Sequence, residues 1–243
     1  MEGSASSDIT IPMTLPWQTL DRVETDEGPL ELRQRAEREF VITVGGRVLM
    51  NSTFHRTEDA AAELACREVA DRSLPRVLIG GLGMGFTLRA ALDALPKQGR
   101  VVVAEITPAI VRWCRGPLAE LTGRAVADRR VTLKMEDVAA LIAEAGQAGG
   151  EELFDAIVLD LYEGPRRASQ AREDPFYGPA ALATTRAALT RGGVFTVWSE
   201  DHDAAFEKRL TNAGFKVEKK RPGKGGPRHV VYLARPAARW RPL

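Results

Sequence analysis

The alternation of apolar and polar positions changes character twice along the 243 residues. Residues 1–16 are polar and then proline-containing, which predicts a flexible arm. From Trp17 to about Phe54 the chain breaks into short runs of β character: Leu30 to Arg35, Glu39 to Val44 and Arg47 to Met50. Gly45-Gly46 separates the last two of these as a hairpin turn, so residues 17–56 are expected to form a small antiparallel β-rich subdomain. Thr57 to about Asp71 is alanine-rich, with Ala61, Leu64, Ala65 and Glu68 at helical spacing.

From Arg76 onward strand and helix patterns alternate. The strand-like runs are 76–81, 100–105, 130–135, 154–160, 193–199, 215–220 and 229–234. Helical stretches are expected at Phe86–Leu95, Pro108–Leu121, Val138–Ala145, Pro179–Leu189 and Asp203–Ala213. The central strands are continuously apolar, as they must be when helices cover both faces of a sheet. The last two runs are joined by RPGKGGPR (221–228), too short for a crossover helix, which makes them an antiparallel hairpin. The expected fold class is α/β: a doubly wound, Rossmann-like sheet over residues 57–236 ending in that hairpin, with residues 237–243 as a tail.

Composition narrows the partners. Lysine plus arginine (34) nearly balance aspartate plus glutamate (33), so no global field draws the chain to nucleic acid or to an anionic membrane. No apolar run approaches the length a membrane helix needs, and MEGSASSDIT lacks a basic region followed by an apolar stretch. The expectation is a cytoplasmic protein. Cys66 and Cys114 form no CxxC pair and are expected as free thiols on helices. His55, His202 and His229 have no metal-ligand spacing, so no metal is expected; His229, at the start of the last strand, reads as structural.

The first core strand runs into Gly80-Gly81-Leu82-Gly83-Met84-Gly85 and then a helix. Glycine there lets the backbone turn sharply and approach a ligand near a helix N-terminus. The dinucleotide spacing GxGxxG would put glycine at 86, where Phe86 stands, which disfavours a nicotinamide cofactor. Alternate glycines at Gly81, Gly83 and Gly85 instead give GxGxG, the spacing of S-adenosylmethionine sites.

Acids fall at the ends of the following strands. Glu105 can accept both ribose hydroxyls of an adenosine group, or lie beside the helix that Thr107 caps and Pro108 opens. Asp137 can accept the adenine amino group or cap the next helix. Ile106 and Val138, next to these acids, are assigned to the same cofactor crevice. Asp160 ends the fourth strand opposite the glycine loop, followed by Tyr162 and Glu163. Asp160 and Glu163 can orient an acceptor amine or take its proton, or serve as hydrogen-bond acceptors within their loop. Tyr162, Tyr177 and Trp198 can shape an acceptor pocket or simply pack.

With these residues in place, the chain resembles the spermidine synthase family of aminopropyltransferases, and more closely its spermidine synthase-like relatives. The likeness spans roughly residues 30–200 and rests on VLIGGLGMG, VVVAEI, RVTLKMED, FDAIVLDLYEGP and DPFYGPAALATTRAALTRGGVFTVW. It implies a class I S-adenosylmethionine-dependent methyltransferase fold and a homodimer or larger assembly. Glu105 then corresponds to the ribose acid, Asp137 to the adenine acid and Asp160 to the acid near the reacting centre, while Glu163 replaces a second loop aspartate. Two departures stand out. The loop aspartate that pairs with an aminopropyl ammonium is Met84, and the polyamine-binding segment reads TEDAAAE (57–63), with Ala61 and Ala62 at key positions and only Glu63 kept. Several ammonium groups in a partly dry groove need partners that this chain lacks.

The resulting expectation is S-adenosylmethionine-dependent alkyl transfer to a small-molecule, amine acceptor, with methyl favoured. Asp160, Glu163 and Tyr162 would be catalytic, and Tyr177 with Glu163 would contact the substrate. The alternatives are aminopropyl transfer from decarboxylated S-adenosylmethionine and nucleoside binding without catalysis.

Overall fold

A computed structural model describes residues 15–161, 164–165, 173–222 and 229–237. They fall into two compact units that meet in sequence between Thr53 and Phe54. The first is a four-stranded antiparallel meander: β1 (Gln18–Thr25), β2 (Gly28–Arg35), β3 (Glu39–Val44) and β4 (Arg47–Asn51). Gly45 and Gly46 both take positive φ (53° and 78°) between β3 and β4, the conformation of a two-residue hairpin turn whose twist suits the strands. Leu30 faces Val44 and Leu32 faces Ile42 across β2 and β3, forming one buried apolar row. β1 was not among the expected strands. Leu20 and Val23 are its only large apolar residues, so its pattern carries little period-two signal.

The second unit begins with α1 (Arg56–Val69) and contains one seven-stranded sheet. Its strands are β5 (Arg76–Gly80), β6 (Arg100–Ala104), β7 (Val131–Lys134), β8 (Phe154–Leu159), β9 (Leu189–Ser199), β10 (Phe215–Lys220) and β11 (Val230–Pro236). Between them lie α2 (Phe86–Ala94), α3 (Pro108–Arg115), α4 (Val138–Ala148), α5 (Pro179–Ala187) and α6 (Ala204–Asn212). The spatial order is β10-β11-β9-β8-β5-β6-β7. β7 through β9 pair in parallel, while β11 pairs antiparallel with both β9 and β10. The terminal hairpin is therefore present, and its second strand slots between β9 and β10, leaving β10 at the edge.

Local chemistry sets the boundaries. α3 opens on Pro108 and stops at Gly116, so the expected helix to Leu121 is cut short and continues only as a 3₁₀ turn, Ala119–Thr122. Asp203 caps α6 by accepting the Ala205 and Phe206 N–H groups at 2.8 and 3.1 Å. β9 begins at Leu189, earlier than its apolar pattern suggested, because Leu189 pairs with Phe154 before the ladder shifts register near Gly192-Gly193.

The core of this unit gathers Leu78, Ile157, Leu159, Phe195, Val197, Phe206, Leu210 and Tyr232 around the central strands. At the amino end of the sheet, buried Asp155 ties three elements together. It accepts Arg72 Nη1 at 2.6 Å, the Arg76 N–H at 2.8 Å and Thr190 Oγ1 at 2.8 Å. At the carboxyl end, the connections leave β5 and β8 in opposite directions across the sheet. That reversal opens the crevice in which doubly wound sheets bind ligands.

Candidate functional site

The glycine loop closes one wall of the crevice. Gly81, Gly83 and Gly85 have φ of +87°, +51° and +87°, a region side chains disfavour. At Gly81 a side chain is excluded twice over, since a Cβ would lie 2.7 Å from the Asp160 carbonyl oxygen. The loop is pinned by the Gly81 N–H to the Ala104 carbonyl (2.9 Å) and the Gly85 N–H to the Leu82 carbonyl (2.8 Å). Met84 points into the protein and is fully buried. The Cys114 thiol donates to the Gly83 carbonyl at 3.2 Å, and burial pushes that thiol up to about 12. Cys66 on α1 is likewise buried and free.

Glu105 lies against this loop. Its Oε2 accepts the Leu82 N–H at 3.0 Å and its Oε1 accepts the Thr107 N–H at 2.8 Å. The carboxylate bridges the ends of β5 and β6 at 8% exposure, and each oxygen keeps a lone pair for a ligand hydroxyl. Beside it Ile106 is 72% exposed, an apolar surface of the kind a flat ring covers. Of the two uses weighed for Asp137, the helix cap is the one formed: its Oδ1 accepts the Ala139 N–H at 2.9 Å while the residue stays exposed. The Val138 side chain is core. It packs where a Cβ on Gly80 would stand, within 3.1 Å, so any role toward a ligand falls to its backbone.

Asp160 follows β8 and faces the loop. Its N–H donates to the Gly80 carbonyl at 3.1 Å, and its Oδ2 accepts the hydroxyl of Thr87 in the first turn of α2. The residue is half-buried, and desolvation of its carboxyl raises it from 3.8 to about 7. The Thr87 hydrogen bond opposes that rise, while the charges of Glu58 and Asp59 on α1 add to it. Tyr177 is buried edge-on to Phe206, with ring centroids 5.5 Å apart. Its hydroxyl has no hydrogen-bond partner among the described residues. Burial pushes the phenol up, and Asp174 and Asp160 push the same way.

The structure thus brings Gly81, Gly83, Gly85, Glu105, Ile106 and Asp160 to one crevice, with Tyr177 close enough to feel Asp160. Tyr162 and Glu163 lie outside the described residues. Sequence reasoning missed Thr87, Glu58 and Asp59. The kept acid of the polyamine segment, Glu63, pairs instead with Arg67 at 2.9 Å on an exposed face, and Ala61 and Ala62 are core. A hydroxyl two residues past the glycine loop and a charged HRTED run opening α1 were the available signals. Among the described residues there is no cluster of metal-ligating side chains, and no helix is long and apolar enough to cross a membrane.

No family model and no curated protein matches the sequence. Solved structures do. A spermidine synthase in complex with the transition-state analogue AdoDATO superposes with a TM-score of 0.66 at 16% identity, over 89% of this chain and 72% of that one. The spermidine synthase of Thermotoga maritima gives 0.65 at 17%, over 89% and 72%. Human methyltransferase-like protein 13 in complex with SAH gives 0.58 at 19%, over 75% and 83%. The fold is therefore the class I S-adenosylmethionine-dependent methyltransferase fold. At these identities the likeness, to spermidine synthases and to a methyltransferase alike, is one of fold.

Proposed function

We propose that this chain is an S-adenosylmethionine-dependent transferase that moves a methyl group, in preference to an aminopropyl group, to a small amine. The observation that carries the reading is the pairing of Glu105 with the glycine loop on one side of the crevice and Asp160, held to the Gly80 carbonyl at 3.1 Å, on the other. The residues suit an adenosine bearing a positive sulfonium. Glu105 has acceptor capacity for ribose hydroxyls, Ile106 offers a surface for adenine, and Asp160, with a Tyr177 hydroxyl that has no partner among the described residues, favours a polar, cationic occupant. When bound, such a cofactor supplies an electrophilic carbon beside sulfur. The chain's own work is to hold the acceptor in line with that carbon and to exclude water. Asp160, reinforced by Glu58 and Asp59, draws a cationic amine to the end of β8. Methyl is favoured over aminopropyl because Met84 stands where the resemblance puts the aspartate that pairs with an aminopropyl ammonium. We further place the chain among small-molecule enzymes of the cytoplasm acting as homodimers or larger assemblies.

Calorimetry against S-adenosylmethionine and its decarboxylated form, followed by incubation of each with putrescine and mass spectrometry, tests the reading. Methylated putrescine, with tighter binding of the carboxylated cofactor, is the expected result. Aminopropylated product from the decarboxylated form alone would reverse the preference, and failure to bind either form would end it. Glu105→Gln turns one acceptor oxygen into a donor facing a backbone N–H, and should weaken cofactor binding by roughly 1–3 kcal/mol in the same calorimetry.

A further inference from the structure

The first turn of α1 meets the ends of β9 and β11 through one hydroxyl. Thr57 Oγ1 lies 2.7 Å from Glu58 Oε2, 2.8 Å from His229 Nδ1 and 3.1 Å from Trp198 Nε1. A hydroxyl has one proton and two lone pairs. The indole N–H can only donate, so it takes one lone pair. The two oxygens at 2.7 Å would repel unless a proton lay between them, so the threonine proton goes to the Glu58 carboxylate. Nδ1 of His229 must then be the donor to the second lone pair. The network is complete in this one arrangement, and it leaves Nε2 of a neutral His229 without a hydrogen.

The register of the sheet puts this imidazole beside the crevice. Leu159, just before Asp160, pairs with Val197, while Trp198 pairs with Val231 and Ser199 with Val230. Asp160 and His229 therefore emerge from the same end of the sheet two strands apart, about 10 Å between backbones. The indole of Trp198 meets the His229 ring edge-on, with centroids 4.9 Å apart, which fixes the ring plane. Gly164, in the loop after Asp160, packs against the Trp198 carbonyl, where a Cβ would come within 2.5 Å. The acids gathered at this end are Glu58, Asp59 and Asp160.

We propose that His229 Nε2 takes a proton from the acceptor ammonium, with Thr57 and Glu58 as positioning residues; this rests on the transferase reading above. An ammonium has no lone pair and cannot attack. Transfer of one N–H proton to Nε2 leaves a neutral amine and an imidazolium, whose charge Glu58 balances through Thr57. The freed pair forms the new N–C bond, the C–S pair stays on sulfur, and the positive charge passes from sulfur to the alkylated nitrogen. Asp160 binds the substrate cation in this scheme, and a separate group receives its proton.

Two measurements on the full chain test the proposal. In ¹⁵N-histidine NMR of the neutral imidazole, His229 should carry hydrogen on Nδ1, Thr57→Ser should keep that tautomer and Thr57→Val should lose it. In steady-state alkylation of putrescine, His229→Gln should lower kcat by about a hundredfold or more with KM and cofactor binding little changed. A wild-type Nε2–H tautomer, or an unaltered kcat in His229→Gln, overturns the proposal. The tautomer is read without cofactor or acceptor, so it stands or falls separately from the transferase reading, which calorimetry decides.

Discussion

Replacing Asp160 by asparagine offers a sharp test of the crevice, because the side chain keeps its shape and loses its ionisation. In the folded chain burial raises Asp160 to about 7 from an ordinary 3.8. Below the lower value the carboxyl is protonated in both folded and unfolded chains. Between the two the unfolded chain has lost the proton that the folded chain keeps, so stability falls as pH rises and levels off above about 7. From about pH 5 to about pH 8 this amounts to roughly 3 kcal/mol, taking about 1.4 kcal/mol per pH unit over the two units below the folded value. Urea denaturation of wild type and Asp160→Asn at both pH values isolates the effect. The variant should already exceed wild type modestly near pH 5, which lies above the unfolded value, and exceed it by roughly 3 kcal/mol more near pH 8, since its amide oxygen can still accept the Thr87 hydroxyl. A sulfonium or ammonium bound beside Asp160 favours the ionised form, so cofactor affinity should rise with pH in wild type and stay flat in the variant. Equal pH slopes for the two proteins, in stability and in binding, would refute the claim that desolvation and neighbouring acids raise Asp160.

Two further outcomes separate the site from the scaffold. Gly81→Ala forces a Cβ against the Asp160 carbonyl at a positive φ, and should cost about 1–3 kcal/mol in denaturant titration together with cofactor binding measured by calorimetry. Asp155→Ala strips Arg72, Thr190 and the Arg76 N–H of their shared acceptor at the opposite end of the sheet. It should cost roughly 3–5 kcal/mol while leaving cofactor affinity per folded molecule unchanged.

Much of the architecture was legible because it rests on local rules. Uninterrupted apolar runs such as Ala156–Leu159, the spacing of Gly81, Gly83 and Gly85, and the short link before β11 each have one cheap structural solution. β1 escaped because its side chains are polar on both faces, and the early start of β9 because Leu189 is specified by its neighbour Phe154. The site was legible in its frame and less so in its chemistry. Glu105 and Asp160 declare themselves at strand ends. Besides burial, the residues that act on Asp160 are Thr87, Glu58 and Asp59, which arrive from helices 73 to 102 positions earlier in the chain. The family pattern singles out Glu63, whereas that acid pairs with Arg67, and the two preceding acids act on Asp160 through their charge.

The placement of β11 has a consequence for how the sheet is made. Val231, Tyr232 and Leu233 are almost wholly enclosed, and they pair with β9 on one side and β10 on the other. A growing chain that has produced β9 and β10 therefore holds two strands whose facing edges have no neighbour to zip onto. Both edges stay open to stray pairing until residues 230–236 leave the ribosome and thread the gap, so the last of the sheet's strands in chain order acts as its keystone.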